Sequence, residues 1–191
     1  MQIVLDVSEF QSTSQLDSLL RNADDEIVGV YIKATQDVTY RNSVADAFAG
    51  VCRTHDTPFG YYDFLTNTTM SAQATYFSDF VRSLAHAPSL SPMVDAEGAY
   101  DLFATGVEAW AEQYGEKPVL YAQLSNMPHY ANLALPKWVA QYDSMTYYRP
   151  KQSEIDSYRS QGYVLWQWTS NYAGLNQDAS VLIGDLSTIH P

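Results

Sequence analysis

Short apolar segments alternate along the chain with longer amphipathic ones. The short segments are rich in β-branched and aromatic residues, which is typical of buried strands. The longer segments repeat apolar residues at helical spacing. The predicted strands are 3–7, 28–34, 58–62, 91–98, 118–122, 138–142 and 164–168, and the predicted helices lie near 16–20, 42–54, 68–87 and 102–114.

The order of these elements predicts an α/β protein. Strands that alternate with helices form a mainly parallel sheet, and about eight strand candidates indicate a (β/α)8-like, TIM-barrel-like fold. Pro128, Pro136 and Pro150 interrupt the helical pattern of the second half, so we expect an irregular barrel. No linker, repeat or low-complexity tract divides the chain, and residues 1–191 are expected to form a single domain.

The charge of the chain excludes some partners. With 22 acidic and 10 basic residues, the net charge is −12. Phosphate groups are bound by clustered Lys and Arg, so we expect no nucleic acid partner. The same charge disfavours an anionic membrane surface. No apolar run approaches the length of a membrane-spanning helix, so no membrane insertion is expected.

Cysteine and histidine indicate neither a disulfide nor a metal. Cys52 is the single cysteine, and its place in a predicted helix favours a buried, inert thiol. His55, His86, His129 and His190 are scattered without metal-ligand spacing. No phosphate-binding glycine loop is present. We expect no metal and no cofactor, and the N-terminal sequence does not have the pattern of a signal peptide.

Asp95 and Glu97 are the strongest candidates for chemistry. Positions two apart in a strand share a face, so both carboxylates are predicted to point the same way at the end of segment 91–98. Like charges that lie close together separate their pKa values, which gives one proton donor and one ionised group. Glycoside hydrolysis uses such a pair. An isolated pair of acidic residues at a strand end is more often only part of a solvated rim. The choice between a rim and a catalytic site therefore depends on the residues at the ends of the other predicted strands.

Polar and aromatic residues recur at the same end of successive predicted strands. In parallel barrels the active site lies at the carboxyl ends of the strands. The residues at or near those ends are Asp6, Lys33, Tyr62, Asp95, Glu97, Tyr121, Tyr142 and Trp168. Their convergence favours a catalytic site over a chance arrangement.

Several segments match a known family in order and spacing. They are Leu-Asp-Val-Ser-Glu-Phe-Gln at 5–11, Tyr-Ile-Lys-Ala-Thr at 31–35, Gly-Tyr-Tyr-Asp-Phe at 60–64, Val-Asp-Ala-Glu at 94–97, Trp-Val-Ala-Gln-Tyr at 138–142, Leu-Trp-Gln-Trp-Thr at 165–169 and Gln-Asp-Ala-Ser-Val-Leu at 177–182. With them the chain resembles the glycoside hydrolase family 25 muramidases, the Chalaropsis-type lysozymes, many of which are phage endolysins.

The resemblance implies an irregular, flattened barrel and cleavage of the β-1,4 bond between N-acetylmuramic acid and N-acetylglucosamine. The partner would be the glycan strands of bacterial peptidoglycan, and we expect a monomer. A phage endolysin without a signal peptide would reach the wall from the host cytoplasm through a holin. Otherwise the chain would act outside the cell or at the wall as part of a longer polypeptide.

The resemblance also implies roles for four carboxylates. Glu97 would be the general acid, its pKa raised by neighbouring carboxylates and partial desolvation, while Asp95 would stay ionised and stabilise the transition state or attack directly. Asp6 and Asp178 would flank the pair and tune its protonation. Asp185 is a competing late carboxylate that we interpret as a turn residue. Attack by the sugar's own acetamido oxygen is the alternative to a protein nucleophile, and the sequence leaves both open.

Aromatic residues and one lysine complete the predicted site. Lys33 on an inward face is expected to pair with Asp6 or Asp95. The rings predicted to contact sugar are Tyr62, Tyr121, Trp138, Tyr142, Trp166 and Trp168. Since inward barrel positions are usually filled by bulky side chains, about half of these rings are expected to be packing residues.

The chain departs from the family pattern at two places. Asp63 stands where the family has His, and Gln36-Asp37 replaces the usual Glu-Gly. Both are predicted to lie near the rim of the cleft.

Two other functions remain to be weighed. A chitinase-like enzyme would need further aspartates upstream of Asp95, and Leu90 and Met93 occupy those positions. A non-catalytic carbohydrate-binding or virion-structural module on the same barrel is the second alternative, and the intact carboxylates argue against it.

Overall fold

The computed structural model describes residues 1–98, 104–142 and 147–190. In this part of the chain nine strands and five α-helices are present. The strands are β1 (Gln2–Val7), β2 (Glu26–Gln36), β3 (Tyr40–Arg41), β4 (Phe59–Phe64), β5 (Met93–Asp95), β6 (Val119–Gln123), β7 (Lys137–Ala140), β8 (Leu165–Thr169) and β9 (Asp178–Leu182). The α-helices are α1 (Thr13–Asn22), α2 (Ala45–Thr54), α3 (Met70–Ser83), α4 (Ala104–Tyr114) and α5 (Gln152–Ser160).

The sheet closes on itself. Its strand order is β1-β9-β8-β7-β6-β5-β4-β2-β3, and β1 also pairs with β2. This pairing joins eight strands into a barrel and leaves the two-residue β3 as an appendage on β2. Neighbouring strands are parallel from β4 to β8, whereas β9 is antiparallel to both β1 and β8. The predicted single-domain α/β barrel is confirmed.

The helices explain why the barrel is irregular. Helices α1 to α4 follow the strands of the first half, and α1 begins with Ser12, whose hydroxyl accepts a hydrogen bond from the Gln15 N–H at 3.1 Å. Between β6 and β7 the chain makes only the 3-10 helix Met127–Tyr130, with Pro128 at its start. The strands of the second half are therefore packed against fewer α-helices, as the positions of the prolines predicted.

Side-chain alternation divides the core into two layers. Outward strand residues such as Val30 and Ile32 pack against helix residues such as Phe48 and Phe77. Inward residues such as Tyr31 and Trp138 fill the barrel, where their rings lie 5.3 Å apart. Cys52 is buried on α2, as predicted, and burial raises the pKa of its thiol to about 12. No helix among the described residues is both long and apolar enough to cross a membrane.

The strand that carries Asp95 is shorter than predicted. It ends at Asp95, and Glu97 lies in the bend that follows, so strand alternation does not orient Glu97. Gly98 allows this bend to lie against β4, because a Cβ there would come within 2.1 Å of the Phe64 ring. A Cβ would also come within 2.7 Å of the Leu65 carbonyl, so this close packing, rather than a regular strand, places Glu97 at the end of the barrel.

Candidate active site

A cavity of about 330 Å³ opens at the carboxyl ends of the parallel strands. We call it the acidic cavity, because four carboxylates contribute to its wall. Its lining residues are Asp6, Ser8, Phe10, Lys33, Tyr62, Phe64, Met93, Asp95, Glu97, Tyr121, Tyr142, Gln167 and Asp178. All four carboxylates predicted as catalytic residues are thus brought together.

Asp6 and Asp178 come together because β9 runs antiparallel to β1. The start of β9 lies beside the end of β1, and the two aspartates are direct partners across the pair. Burial raises the pKa of Asp6 well above its ordinary value, and the charges of Asp178 and Asp95 raise it further. Burial also raises the pKa of Asp178 to about 6, with Glu97 adding to the effect. Both groups can therefore hold a proton in mildly acidic solution.

Asp95 lies deeper in the cavity than Glu97. Asp95 is 6% exposed, and one of its oxygens accepts a hydrogen bond from the Glu97 N–H at 3.2 Å. Burial, followed by the charge of Glu97, raises the pKa of Asp95 well above its ordinary value. Burial raises the pKa of Glu97 as well, against the opposing charge of Lys33. These surroundings favour the protonated form of both carboxyls, which is the form expected for Glu97 and not the form expected for Asp95.

Gln167 connects Asp6 to two tyrosines and was missed by the sequence analysis. Its side-chain N–H donates to Asp6 at 2.9 Å, and its oxygen accepts from Tyr121 at 2.5 Å and from Tyr142 at 2.7 Å. Gln167 is 1% exposed and Tyr121 is 7% exposed, whereas Tyr142 is 42% exposed, so the network runs from the barrel interior to the surface. Its place between two aromatic residues near the end of a predicted strand was the available signal.

The three predicted tyrosines line the acidic cavity, and so does Lys33. Burial raises the pKa of Tyr62, Tyr121 and Tyr142, so their phenols stay protonated. The expected ion pair of Lys33 with Asp6 or Asp95 is wrong. Its ammonium donates instead to the Gln36 side chain at 2.8 Å and lies over the Phe64 ring, 5.0 Å from the centroid.

The three predicted tryptophans do not line the cavity. Each is 0% exposed, so none offers a ring face to a sugar. Trp138 lies inside the barrel and donates to the Ser180 hydroxyl at 2.8 Å. Trp166 stacks on Tyr158 of α5, and Trp168 donates to the Tyr148 carbonyl at 2.9 Å. These three of the six candidate rings are therefore packing residues, in line with the expectation that about half would be, because alternation along β7 and β8 turns them into the packing layers.

The residues that depart from the family pattern do not both lie at the rim. Asp63 is 0% exposed and points away from the cavity, where it accepts hydrogen bonds from the Thr35 hydroxyl at 2.7 Å and from the Trp110 indole at 3.0 Å. The predicted rim position of Asp63 is wrong. Gln36 is connected to the cavity, because its side chain accepts a hydrogen bond from Lys33, which lines the cavity. Asp37 has a φ of 56°, a left-handed conformation that explains a glycine at this position in the family pattern.

Four further cavity residues were not singled out from the sequence. They are Ser8, Phe10, Phe64 and Met93. Phe10 is 79% exposed, which is unusual for a large apolar side chain and leaves its ring free to stack on a ligand. Among the described residues, no group of three or more His, Cys, Asp or Glu is arranged to hold a metal ion.

A mainly parallel barrel with a cluster of protonatable carboxylates at the end where its parallel strands finish has the site of a glycoside hydrolase. The family is shown by the sequence as well, since the model of the glycosyl hydrolases family 25 matches residues 5–175. The chain therefore belongs to glycosyl hydrolase family 25. Asp178 lies just beyond the matched residues, so its place in the site rests on the structure and not on this match.

Solved structures share the fold. A family 25 lysozyme from Aspergillus fumigatus superposes with a TM-score of 0.69 at 20% identity, covering 99% of each chain. The catalytic domain of the endolysin ply40 from bacteriophage P40 of Listeria monocytogenes gives a TM-score of 0.68 at 20% identity, covering 97% of this chain and 95% of that one.

A third solved structure, the CTP1L endolysin, is longer than this chain. It gives a TM-score of 0.69 at 18% identity, and the match covers 95% of this chain but only 66% of the endolysin chain. No curated protein matches this chain at the sequence level.

Proposed function

We propose that this protein is an endo-β-1,4-N-acetylmuramidase that cleaves bacterial peptidoglycan between N-acetylmuramic acid and N-acetylglucosamine. The observation that carries the proposal is the meeting of Asp6, Asp95, Glu97 and Asp178 in one cavity. Membership of family 25 supports the reaction class. The similar structures described as lysozyme and endolysin support a cell-wall glycan as the substrate.

Glu97 is the general acid in this proposal. Its raised pKa favours the protonated carboxyl that a general acid needs, and its place at the cavity wall gives it access to a glycosidic oxygen. Donation of this proton allows the sugar–oxygen bond to break. The carboxylates opposite then stabilise the positive charge that develops on the sugar ring.

Asp95 supports the bond-breaking step in a different way. A carboxyl whose pKa is raised well above its ordinary value is a poor nucleophile, since attack requires the ionised form. This favours the route in which the acetamido oxygen of the sugar attacks and Asp95 orients the acetamido group. Direct attack by Asp95 is the alternative route, and it predicts a covalent glycosyl-enzyme.

The remaining cavity residues would hold the sugar. The phenols of Tyr62, Tyr121 and Tyr142 supply hydrogen-bonding groups, and the exposed ring of Phe10 supplies a stacking face. Lys33 carries the cationic charge among the described cavity residues and can contact an anionic substituent of the glycan. In a phage setting, the enzyme would act on the wall after crossing the host membrane through a holin.

The test is release of reducing ends from purified peptidoglycan, with the fragments identified by mass spectrometry. Wild-type protein is expected to yield fragments that end in N-acetylmuramic acid, and Glu97→Gln is expected to yield almost none. Glu108→Gln, the same substitution at an exposed position on α4, is the matched control and should retain activity.

A second matched pair tests the late carboxylate. Asp178→Asn should reduce activity, whereas Asp185→Asn should not. The Asp185 side chain accepts a hydrogen bond from the Ser187 N–H at the start of the 3-10 helix Leu186–Ile189, outside the acidic cavity. If folded wild-type protein releases no reducing ends, the proposed activity is wrong, and a carbohydrate-binding or virion-structural module becomes the better account.

A further inference from the structure

Gln177 directly precedes β9, and its side chain joins the backbones of two aspartates of the acidic cavity. Gln177 is 0% exposed, and its amide nitrogen donates to the Asp6 carbonyl at 2.7 Å and to the Asp178 carbonyl at 2.9 Å. A glutamine amide has two N–H groups, so both are used. Its oxygen accepts a hydrogen bond from the Gln15 side chain of α1 at 3.5 Å. We call the two bonds from Gln177 to these carbonyls the amide bridge, which has no role in the function proposed above.

The amide bridge lies where the pairing of β1 with β9 ends. Asp6 and Asp178 form the last pair of the register, although β1 itself continues to Val7. The ends of paired elements open more easily than their middles. At this end the two carboxyl groups also repel each other whenever both are ionised. A neutral amide that is bonded to both backbones opposes this separation without changing the charge of the pair.

Asp178 depends on its backbone more than Asp6 and Asp95 do. One oxygen of Asp6 accepts a hydrogen bond from Gln167 at 2.9 Å, and one oxygen of Asp95 accepts from the Glu97 N–H at 3.2 Å. In the part of the chain that the structure describes, no hydrogen bond reaches the Asp178 carboxylate. The place of this carboxyl in the acidic cavity therefore follows from the position of the start of β9, which the amide bridge holds against β1.

We infer that Gln177 is a positioning residue, which holds the backbones of Asp6 and Asp178 together and so sets the distance between their carboxyl groups. Gln177 does not line the acidic cavity, so it acts only through the two aspartates. The inference rests on the proposed function where it concerns reaction rate, because it takes both aspartates as members of the catalytic cluster. Displacement of a catalytic group by roughly 1 Å is enough to lower a rate about 100-fold.

Gln177→Met removes the amide bridge, because methionine has a similar volume and no hydrogen-bond donor. On purified peptidoglycan the variant should lower kcat by about 10- to 100-fold, and KM should stay within about twofold of the wild-type value. This division is expected because Gln177 does not line the cavity that receives the substrate. Rates would be expressed per folded molecule and measured below the thermal transition. A wild-type kcat in the folded variant would overturn the inference.

Gln73 on α3 provides the matched control, since it is a buried glutamine with the same kind of bonds. It is 0% exposed, and its amide nitrogen donates to the carbonyls of Thr66 at 3.1 Å and Thr68 at 2.9 Å, outside the acidic cavity. Gln73→Met should keep the wild-type kcat per folded molecule. Equal kcat values in the two methionine variants would overturn the inference.

The titration of Asp6 reports on the pair without any reaction. Burial raises the pKa of Asp6, the charges of Asp178, Asp95 and Glu97 raise it further, and the hydrogen bond from Gln167 lowers it. A shift of β9 away from β1 removes the charge of Asp178 from its neighbourhood and admits water. Both changes favour the ionised carboxyl, so the pKa of Asp6 should fall.

Nuclear magnetic resonance can measure this pKa directly. The protein would be labelled with ¹³C at the aspartate carboxyl carbons, and the Asp6 signal would be assigned with Asp6→Asn. The pKa of Asp6 should be lower in Gln177→Met than in the wild type and unchanged in Gln73→Met. An unchanged pKa of Asp6 in folded Gln177→Met would overturn the inference.

Gln177→Glu tests the same contact if Gln177→Met does not fold. The two side chains have nearly the same shape, and a protonated carboxyl donates one hydrogen bond where the amide donates two. One strand of the pair is then left without its bond, so kcat should fall severalfold in mildly acidic solution. A wild-type kcat in this variant would overturn the inference.

The two proposals fail in different ways. Wild-type kcat and an unchanged pKa of Asp6 in folded Gln177→Met would contradict the inference while leaving the muramidase intact. Absence of reducing ends with wild-type protein would contradict the muramidase, and the titration would still decide whether Gln177 holds the two aspartates together.

Discussion

Asp63 and Asp95 are buried aspartates on neighbouring strands, and their surroundings differ. Asp63 faces the helical layer, where both oxygens accept hydrogen bonds from the neutral donors Thr35 and Trp110. Asp95 faces the acidic cavity, where Glu97 is a like charge beside it. Burial raises the pKa of both, for Asp63 to about 6. A buried carboxyl that is held by fixed donors supports the fold, whereas one that faces other carboxyls and open space can exchange protons with a substrate.

The largest effect should come from Glu97→Gln on the cavity side. Loss of a general acid lowers kcat by about 10²–10⁴-fold. Because the substitution removes a partly buried acid without creating a cavity, the thermal midpoint should stay equal or rise. Steady-state kinetics and a melting curve on the same sample would measure both. A large fall in the thermal midpoint would mean that Glu97 stabilises the fold. The contrast between a structural carboxyl on the helical side and a catalytic one in the cavity would then be contradicted.

Gln167→Met should give the next largest effect. A hydrogen bond to a charged group contributes ~1.5–3 kcal/mol, so loss of the bond to Asp6 should reduce kcat/KM about tenfold or more. The Gln167 N–H lowers the pKa of Asp6, so its removal should move the acidic limb of the pH–rate profile to higher pH.

A second buried glutamine provides the control for Gln167. Gln73 on α3 is 0% exposed and bonds to the backbone of Thr66 and Thr68. Gln73→Met should lower stability by about 1–3 kcal/mol and leave the pH–rate profile in place. Identical pH–rate profiles for the two variants would contradict the proposed effect of Gln167 on the pKa of Asp6.

Asp63→Asn should affect stability and not the chemical step. The amide places an N–H group where a carboxylate oxygen accepted, which costs about 1–3 kcal/mol. For a chain of this size that corresponds to a fall of roughly 2–12 °C in the thermal midpoint. Activity per folded molecule should be unchanged at a temperature below the transition. A variant that is fully folded but inactive would show that Asp63 acts on the cavity through β4.

The smallest effect should be the pH dependence of stability that Asp63 contributes. A carboxyl whose pKa is 3.8 in the reference state and about 6 in the fold favours the folded state at low pH. That contribution is complete below pH 4 and is lost as pH rises through 6. The difference in thermal midpoint between wild type and Asp63→Asn should therefore shrink from pH 4 to pH 7. Other titrating groups cancel in this difference, and a constant difference would contradict the raised pKa.

The sequence alone determined the barrel and the end of it that carries the site. Alternating apolar and amphipathic segments require a mainly parallel sheet, and polar residues at the ends of its strands must then meet at one end. Asp6, Asp95, Glu97 and Asp178 do line one cavity there. The order and spacing of the motifs also indicated family 25, which the match over residues 5–175 confirms.

Tertiary structure decided which way each side chain faces. Of the six candidate sugar-contacting rings, about half were expected to be packing residues, and the structure shows that these are Trp138, Trp166 and Trp168. Asp63 was expected at the rim of the cleft, but its side chain points from β4 toward the helices, where it accepts a hydrogen bond from the Trp110 indole. A strand alternates between two faces, and a local pattern rich in aromatic residues on both does not say which face is the cavity.

Tertiary structure also supplied the contacts between distant segments. The pairing of Asp6 with Asp178 depends on the antiparallel direction of β9, and the bond from Gln167 to Asp6 joins opposite ends of the chain. The pKa values of the carboxyls depend on these neighbours and on burial. The sequence thus determines the residues available for chemistry, while their protonation follows from a closed barrel that brings distant carboxyls together and partly buries them.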